Sequence, residues 1–148
     1  MDWDKRPGET VAVLPQQADA GLFFIGRIAT PWPDRAACPR RGDIAGPECR
    51  LELFAPWTEG LDGIEDCRAL QVLYWMHLAR RDLTRQAPHS AQKLIGTFAL
   101  RSPVRPNPVA SSTVRFVRRE GSAVVVQGLD CVDGTPLVDI KPDRCPNW

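Results

Sequence analysis

Short apolar runs separated by turn-forming residues make up most of the chain. In residues 50–54, Leu51 and Leu53 alternate with charged Arg50 and Glu52, which indicates a strand with one buried face. Other apolar runs predict strands over residues 10–14, 22–28, 69–76, 94–100, 113–117, 123–127 and 137–140. The run over residues 69–76 is apolar nearly throughout, so we expect a central strand buried on both faces.

The stretches between these runs favour irregular connections over long helices. Proline occurs 14 times, and residues 31–47 form a proline-rich segment longer than an ordinary connection. Residues 56–66 have room for a short helix or two turns. This pattern predicts a mainly β fold, a single-domain β-barrel of mostly antiparallel strands with one or two short helices. We expect residues 1–20 to form an N-terminal arm and first strand, and residues 21–148 to form the barrel.

Composition indicates a globular protein, with 43% hydrophobic and 25% charged residues. No apolar run reaches membrane-spanning length, and the first residues lack the apolar core of a signal peptide. We therefore expect a cytoplasmic protein that makes no membrane contact.

Charge is distributed unevenly although the net charge is only +1. Residues 1–66 carry 7 basic and 12 acidic side chains, whereas residues 67–119 carry 10 basic side chains and one acidic side chain, Asp82. Such a basic segment is typical of a polyanion-binding face. The alternative is that strands from different parts of the chain interleave, so that the charges mix in space.

Cysteine and histidine usage gives no sign of a metal site. The five cysteines are scattered without a Cys-x-x-Cys pair, and the histidines are His77 and His89. We expect free thiols in a reducing compartment and no bound metal. Cys131 has no base adjacent to it in the sequence, which argues against a nucleophilic thiol.

Familiar catalytic signatures are missing from the sequence, which has no Gly-x-Gly and no Gly-x-Ser-x-Gly. Asp130, Asp133 and Asp139 are compatible with paired acid–base carboxylates or a magnesium site. Alternation along a strand would instead point them to different faces. No residue stands out as a general base, so the catalytic residues stay unassigned.

Two polar segments flank the later strands. In residues 101–108, three prolines stiffen the backbone and hold Arg101, Arg105 and Asn107 outward. In residues 130–142, Asp133-Gly134 is a strong turn signal, and such a turn can aim N–H groups and a carboxylate at a ligand. The simpler interpretation is a stiff surface loop followed by an ordinary hairpin.

These two segments resemble the TsaA-like family. The motifs are Arg-Ser-Pro-x-Arg-Pro-Asn-Pro and Asp-x-x-Asp-Gly-Thr-Pro-x-x-Asp-Ile-Lys-Pro, and the resemblance extends over residues 25–142. It implies a β-barrel that works as a homodimer. It also implies methyl transfer from S-adenosylmethionine to the exocyclic amine of threonylcarbamoyl-adenosine, beside the anticodon of tRNA.

The resemblance also implies site residues. The expected cofactor-binding residues are Arg41, Gly42, Asp43, His77, Leu78, Arg101, Cys131, Val132, Asp133 and Gly134. Arg105 and Asn107 are expected to bind the nucleotide substrate. Without the resemblance, His77 would be interpreted as a structural residue that closes a core strand.

The chain departs from the family pattern at several positions. Arg41 replaces a glutamine, and Arg68-Ala69 replace a Ser-His pair. Further differences lie at Leu100, Val109-Ala110 and Asp143. Two other classes therefore stay open: a methyltransferase that acts on a small molecule, and a non-catalytic barrel that senses S-adenosylmethionine or binds RNA.

Overall fold

The computed structural model describes residues 4–144. The chain forms two compact units. One comprises Met1–Gly21 and Met76–Val109, and the other comprises Leu22–Trp75 and Ala110–Trp148. We call the first the small-sheet unit and the second the barrel unit. No helix within residues 4–144 has the length and hydropathy needed to cross a membrane.

Nine strands run through the described residues. They are β1 (Thr10–Val11), β2 (Gly26–Ala29), β3 (Glu48–Leu53), β4 (Ala69–Trp75), β5 (Leu83–Gln86), β6 (Ile95–Gly96), β7 (Val109–Glu120), β8 (Ala123–Gln127) and β9 (Thr135–Arg144). Strands β2, β3, β8, β7, β4 and β9 form a closed barrel in that order. The pairs β2–β3, β3–β8, β7–β8, β4–β9 and β2–β9 are antiparallel, which confirms the predicted fold class.

Alternating side chains fill the barrel interior. In β3 the buried residues are Cys49, Leu51 and Leu53, as the alternation of residues 50–54 predicts. The other barrel strands also contribute completely buried residues, among them Ile28, Val72, Val124, Val126 and Leu137. Burial of one such side chain stabilises the fold by about 1.5–3 kcal/mol relative to an exposed one.

The expectation that β4 is buried on both faces is wrong. Leu70, Val72 and Tyr74 are buried, but the intervening side chains are half-buried. A barrel strand has one face toward the interior and one toward the outside. Apolar side chains therefore lie on the outer face of β4 as well as inside.

The helical segments within residues 4–144 are short 3-10 helices, at Arg35–Ala37, Trp57–Leu61, Ile64–Asp66 and Thr97–Ala99. The second and third correspond to the predicted helix or turns in residues 56–66. The prediction of a strand over residues 94–100 is wrong for most of that stretch. Only Ile95–Gly96 form a strand, β6, and Thr97–Ala99 form the fourth 3-10 helix.

The small-sheet unit has a three-stranded sheet in the order β1-β5-β6. Its centre contains hydrogen-bonded polar groups as well as apolar side chains. Buried Gln86 donates to Thr97 Oγ1 at 3.0 Å and to the Val104 carbonyl at 2.7 Å, and Thr97 donates to the Leu83 carbonyl at 2.7 Å. These bonds compensate for the loss of hydration on burial.

The expectation of free thiols throughout is wrong for Cys67, which is disulfide-bonded. Cys38, Cys49 and Cys131 are free. Cys145 lies outside the described residues.

Candidate functional site

The predicted site residues divide between the two units. Arg41, Gly42, Asp43 and the stretch from Cys131 to Gly134 belong to the barrel unit; His77, Leu78, Arg101, Arg105 and Asn107 belong to the small-sheet unit. Within the barrel unit they lie on the loop after β2 and on the loop between β8 and β9.

The Asp133-Gly134 turn fastens these two barrel loops together. The Asp133 N–H donates to the Trp32 carbonyl and the Gly134 N–H donates to the Ile28 carbonyl, each at 2.8 Å. Oδ1 of Asp133 accepts from the Thr30 N–H at 3.0 Å. Gly134 has a φ of 83°, a conformation that favours glycine. These two N–H groups and Oδ1 therefore bond within the protein, and the turn orders the loop after β2.

Gly42 makes a second contact between the same loops. A Cβ atom at this position would lie 1.8 Å from the Gly128 carbonyl oxygen, so only glycine fits. Nearby, Gln127 donates to the Gly46 carbonyl at 2.7 Å. Arg41 and Asp43 are exposed on either side of Gly42. The structure therefore brings the predicted segments 41–43 and 131–134 onto adjoining loops.

A polar cluster lies beside the second loop, made by Tyr74, Ser112 and Asp130. The Tyr74 hydroxyl is 2.7 Å from Ser112 Oγ and donates to Asp130 Oδ1 at 3.2 Å. Burial raises the pKa of Asp130, although the Tyr74 hydrogen bond lowers it. Burial and the Asp130 charge raise the pKa of Tyr74, so its hydroxyl stays protonated.

The thiol of Cys131 is buried in this region and unreactive as a nucleophile. Burial raises the pKa of Cys131 to about 12, and the thiolate is the reactive form of cysteine. The backbone carbonyl of Cys131 accepts from Thr30 Oγ1 at 2.8 Å. Cys131 therefore contributes backbone to the loop and no nucleophile.

In the small-sheet unit, His77 and Leu78 occupy a turn that follows β4. The Ala79 N–H donates to the Met76 carbonyl at 3.0 Å, and the Met76 N–H donates to the Pro108 carbonyl at 2.8 Å. The second bond joins the turn to residues 101–108, the segment with three prolines, which we call the proline-rich segment. Both His77 and Leu78 are exposed.

The proline-rich segment is braced by arginines. Arg105 Nη1 donates to the carbonyls of Leu100 and Ser102 at 3.0 and 2.9 Å. Arg81 Nε donates to the Pro106 carbonyl at 2.6 Å, and its Nη2 lies 3.4 Å from Asn107 Oδ1. Arg105 thus supports the backbone of its own segment, while Asn107 is exposed.

Arg101 lines a cleft of about 340 Å³ within the small-sheet unit. The other polar residues that line the cleft are Asp4, Arg6, Glu9, Gln86, His89 and Ser102. Glu9 is buried, and its carboxylate accepts the N–H groups of Arg6 and Ala87 at 2.8 and 2.9 Å. Arg101 is exposed and presents a cation at this cleft.

Sequence reasoning missed three members of the barrel site. Thr30 and Tyr74 lie in apolar strand-like contexts, and Ser112 lies in a polar run with no visible partner. Thr30 bonds Asp133, Tyr74 bonds Asp130, and Ser112 bonds Tyr74. These bonds connect residues far apart in the sequence, and single-sequence patterns carry no signal for such pairs. Within residues 4–144 no group of three or more His, Cys, Asp or Glu could hold a metal ion.

Strand order and loop contacts together define a class: a closed six-stranded β-barrel domain with two interlocked polar loops beside it. The tRNA-methyltransferase O N-terminal domain matches residues 27–144. The chain belongs to that family.

Curated relatives include both binding proteins and an enzyme. The chain is 48% identical to the probable S-adenosyl-L-methionine-binding protein VirR of Rhizobium radiobacter, over 94% of this chain and 79% of that protein. It is 35% identical to the tRNA (adenine(37)-N6)-methyltransferase of Escherichia coli, over 80% of this chain and 55% of that enzyme.

A solved structure of TrmO from Pseudomonas aeruginosa superposes with a TM-score of 0.69 and 31% identity. The superposition covers 85% of this chain and 56% of that one. The chain therefore spans a little over half the length of these methyltransferases.

Proposed function

We propose that this protein is a methyltransferase that uses S-adenosylmethionine to methylate tRNA. The observation that carries the proposal is the contact between the two loops that hold segments 41–43 and 131–134, made by Gly42 against Gly128 and by Asp133 with Thr30. Family membership and the names of the relatives support the cofactor and the reaction class.

The chemistry of the donor suits these side chains. S-adenosylmethionine carries an activated methyl group on a sulfonium, so positioning and desolvation can supply much of the catalysis without a metal. Its carboxylate needs a cationic partner, for which Arg41 and Arg101 are the candidates. Its amine and ribose need acceptors, which Asp133 and the carbonyls of its loop can provide.

We infer that the acceptor is the exocyclic amine of threonylcarbamoyl-adenosine beside the tRNA anticodon. The name of the Escherichia coli relative supports an adenine N6 acceptor. Asn107 is exposed, and an asparagine amide can match an adenine edge. Arg105 would act on the substrate chiefly through the segment that it braces, because its guanidinium already holds two carbonyls.

A second candidate function is S-adenosylmethionine binding without tRNA methylation, either by a sensor or by an enzyme for a small molecule. The names of the relatives favour it. Relatives that are 36–48% identical to the chain are named S-adenosylmethionine-binding proteins. Two relatives named methyltransferases are 35% identical to it.

We also propose a cytoplasmic homodimer. Exposed aromatic side chains of the barrel unit support association: Phe23 is 77% exposed and Trp57 is 40% exposed. Their ring centroids are 5.8 Å apart. Contiguous exposed apolar surface is often a protein-interaction site.

Calorimetry with S-adenosylmethionine tests the cofactor. We expect binding that persists in a chelator and weakens by about 1–3 kcal/mol in Asp133→Ala, since a charged hydrogen bond is lost and the Thr30 N–H is left unpaired. Asp62→Ala is the matched control, because Asp62 is an exposed carboxylate on a surface ion pair. A folded protein that gives no heat at millimolar ligand contradicts the proposal.

Mass analysis of tRNA separates the two candidate functions. Incubation with S-adenosylmethionine and tRNA that carries threonylcarbamoyl-adenosine should add one methyl group to that nucleoside. Cofactor binding without any methylated tRNA would favour the sensor or the small-molecule enzyme.

A further inference from the structure

Methylation of the proposed acceptor requires a proton to leave. N6 of threonylcarbamoyl-adenosine carries one hydrogen, and its lone pair is delocalised into the purine ring and the carbamoyl carbonyl. The neutral nitrogen is therefore a poor nucleophile, and the methylated product has lost the hydrogen. A carboxylate or imidazole placed beside the acceptor typically contributes about 10²–10⁴-fold to such a rate.

Asp130 is a carboxylate of suitable placement in the barrel unit. It immediately precedes the segment 131–134 and is half-buried, so it is shielded and still reachable. Its Oδ1 accepts the Tyr74 hydroxyl at 3.2 Å. Burial and, to a smaller extent, the Asp130 charge raise the pKa of Cys38, which comes from the loop after β2. Asp130 therefore lies where the two interlocked loops meet the end of β4.

We propose that Asp130 is the general base that accepts the N6 proton; this inference rests on the proposed function. In the step, N6 attacks the methyl carbon and an N–C bond forms. The S–C bond breaks, and its electron pair stays on sulfur, which becomes a neutral thioether. The N6 proton moves to the Asp130 carboxylate and from there to water.

Tyr74 and Ser112 act as positioning residues for this base. Tyr74 is 3% exposed and has its hydroxyl proton directed at Asp130, so Ser112 donates in turn to the Tyr74 oxygen. This chain of two hydrogen bonds fixes one carboxylate oxygen. Burial raises the pKa of Asp130 toward the range useful for a base at neutral pH.

Single-turnover methyl transfer tests the assignment, with radiolabelled S-adenosylmethionine and tRNA carrying threonylcarbamoyl-adenosine. Asp130→Asn keeps the shape of the side chain and cannot take the proton. We expect its rate to fall by about 10²-fold or more. Its affinities for S-adenosylmethionine and tRNA should stay within about twofold, because the proposal assigns Asp130 a role in proton transfer. Asp62→Asn is the matched control and should keep the wild-type rate.

The pH dependence gives a second readout. The wild-type rate should rise with pH as Asp130 loses its proton. The titratable groups facing Asp130 are Tyr74 from β4, Cys38 from the loop after β2 and Cys131 beside it. Tyr74→Phe removes the hydrogen bond that favours the carboxylate, so the rise should move to higher pH. If Tyr74 had only a structural role, Tyr74→Phe would lower the rate but leave the pH of the rise unchanged.

The outcomes are distinguishable. A wild-type protein that binds S-adenosylmethionine but transfers no methyl to this tRNA overturns the proposed function and the base together. An active wild type with Asp130→Asn within threefold of it overturns only the base. If Asp130→Asn does not fold, Tyr74→Phe decides: an unmoved pH profile overturns the assignment, and a shift to higher pH supports it.

Discussion

At the scale of single residues, the contact between Gly42 and Gly128 sets a sharp steric limit on the barrel loops. Gly42→Ala would place a carbon 1.8 Å from a backbone oxygen, so one of the two loops must move. We expect a loss of about 1–3 kcal/mol in the free energy of unfolding. We also expect weaker binding of S-adenosylmethionine. Chemical denaturation and calorimetry measure the two effects.

Gly60→Ala is the matched control for this prediction. No atom lies within 4 Å of a Cβ built at Gly60, and its φ is not in the positive range that strains other residues. The control should unfold and bind like the wild type. Equal behaviour of Gly42→Ala and Gly60→Ala would show that the loop contact has no role in stability or binding.

At Asp133 the sequence predicts the local turn but not the distant residues that the turn contacts. The Asp-Gly pair correctly predicts a tight turn at residues 133–134, because its signal is local. Its partners were not predictable, since Thr30 lies 103 residues away in the sequence. The resemblance supplies the candidate site residues, but no local pattern distinguishes a carboxylate that orders a loop from one that contacts a ligand.

At the scale of elements, the basic segment of residues 67–119 separates into different roles. On β7, Arg118 pairs with Glu48 and Arg119 pairs with Asp62, so here charges from distant segments mix as the alternative interpretation anticipates. In the small-sheet unit, Arg80 pairs with Asp82 at 2.7 Å and Arg81 braces the Pro106 carbonyl. Arg85 lies on β5 and is exposed.

These roles predict different effects of neutralising each arginine. Arg85→Gln should weaken tRNA binding and reduce its salt dependence, with little change in stability, because phosphate contacts release counterions. Arg81→Gln should lower the melting temperature as well, because the Pro106 carbonyl loses its donor. Filter binding at two salt concentrations and thermal denaturation measure these effects. Salt-independent tRNA binding that Arg85→Gln leaves unchanged would contradict a phosphate contact at β5.

The strands differ in how well they can be predicted from their sequences. β8 was predicted with its observed bounds, since Ala123–Gln127 is a β-branched run between turn residues. β5 was missed because Leu83–Gln86 is short and mostly polar, and its Gln86 is buried through hydrogen bonds. An amide buried in this way looks like a surface residue in the sequence.

At the scale of the whole molecule, the exposed aromatic surface of the barrel unit predicts self-association. Light scattering across a dilution series should give twice the chain mass. Phe23→Ser should shift the equilibrium toward monomer, because Phe23 is the most exposed of these aromatic side chains. Val13→Ser is a control, since Val13 is 98% exposed and belongs to the small-sheet unit. A wild-type protein that stays monomeric at high concentration contradicts the dimer.

Barrel closure has a consequence for how the protein is made. The first barrel strand, β2, pairs with the last, β9, through Gly26 and Leu137. A ribosome delivers β2 early, so one edge of that strand stays open until nearly all of the domain has been synthesised. Pairings so distant in sequence form slowly, and an open edge can pair with another chain. The nascent polypeptide should therefore depend on chaperones until its final strand emerges.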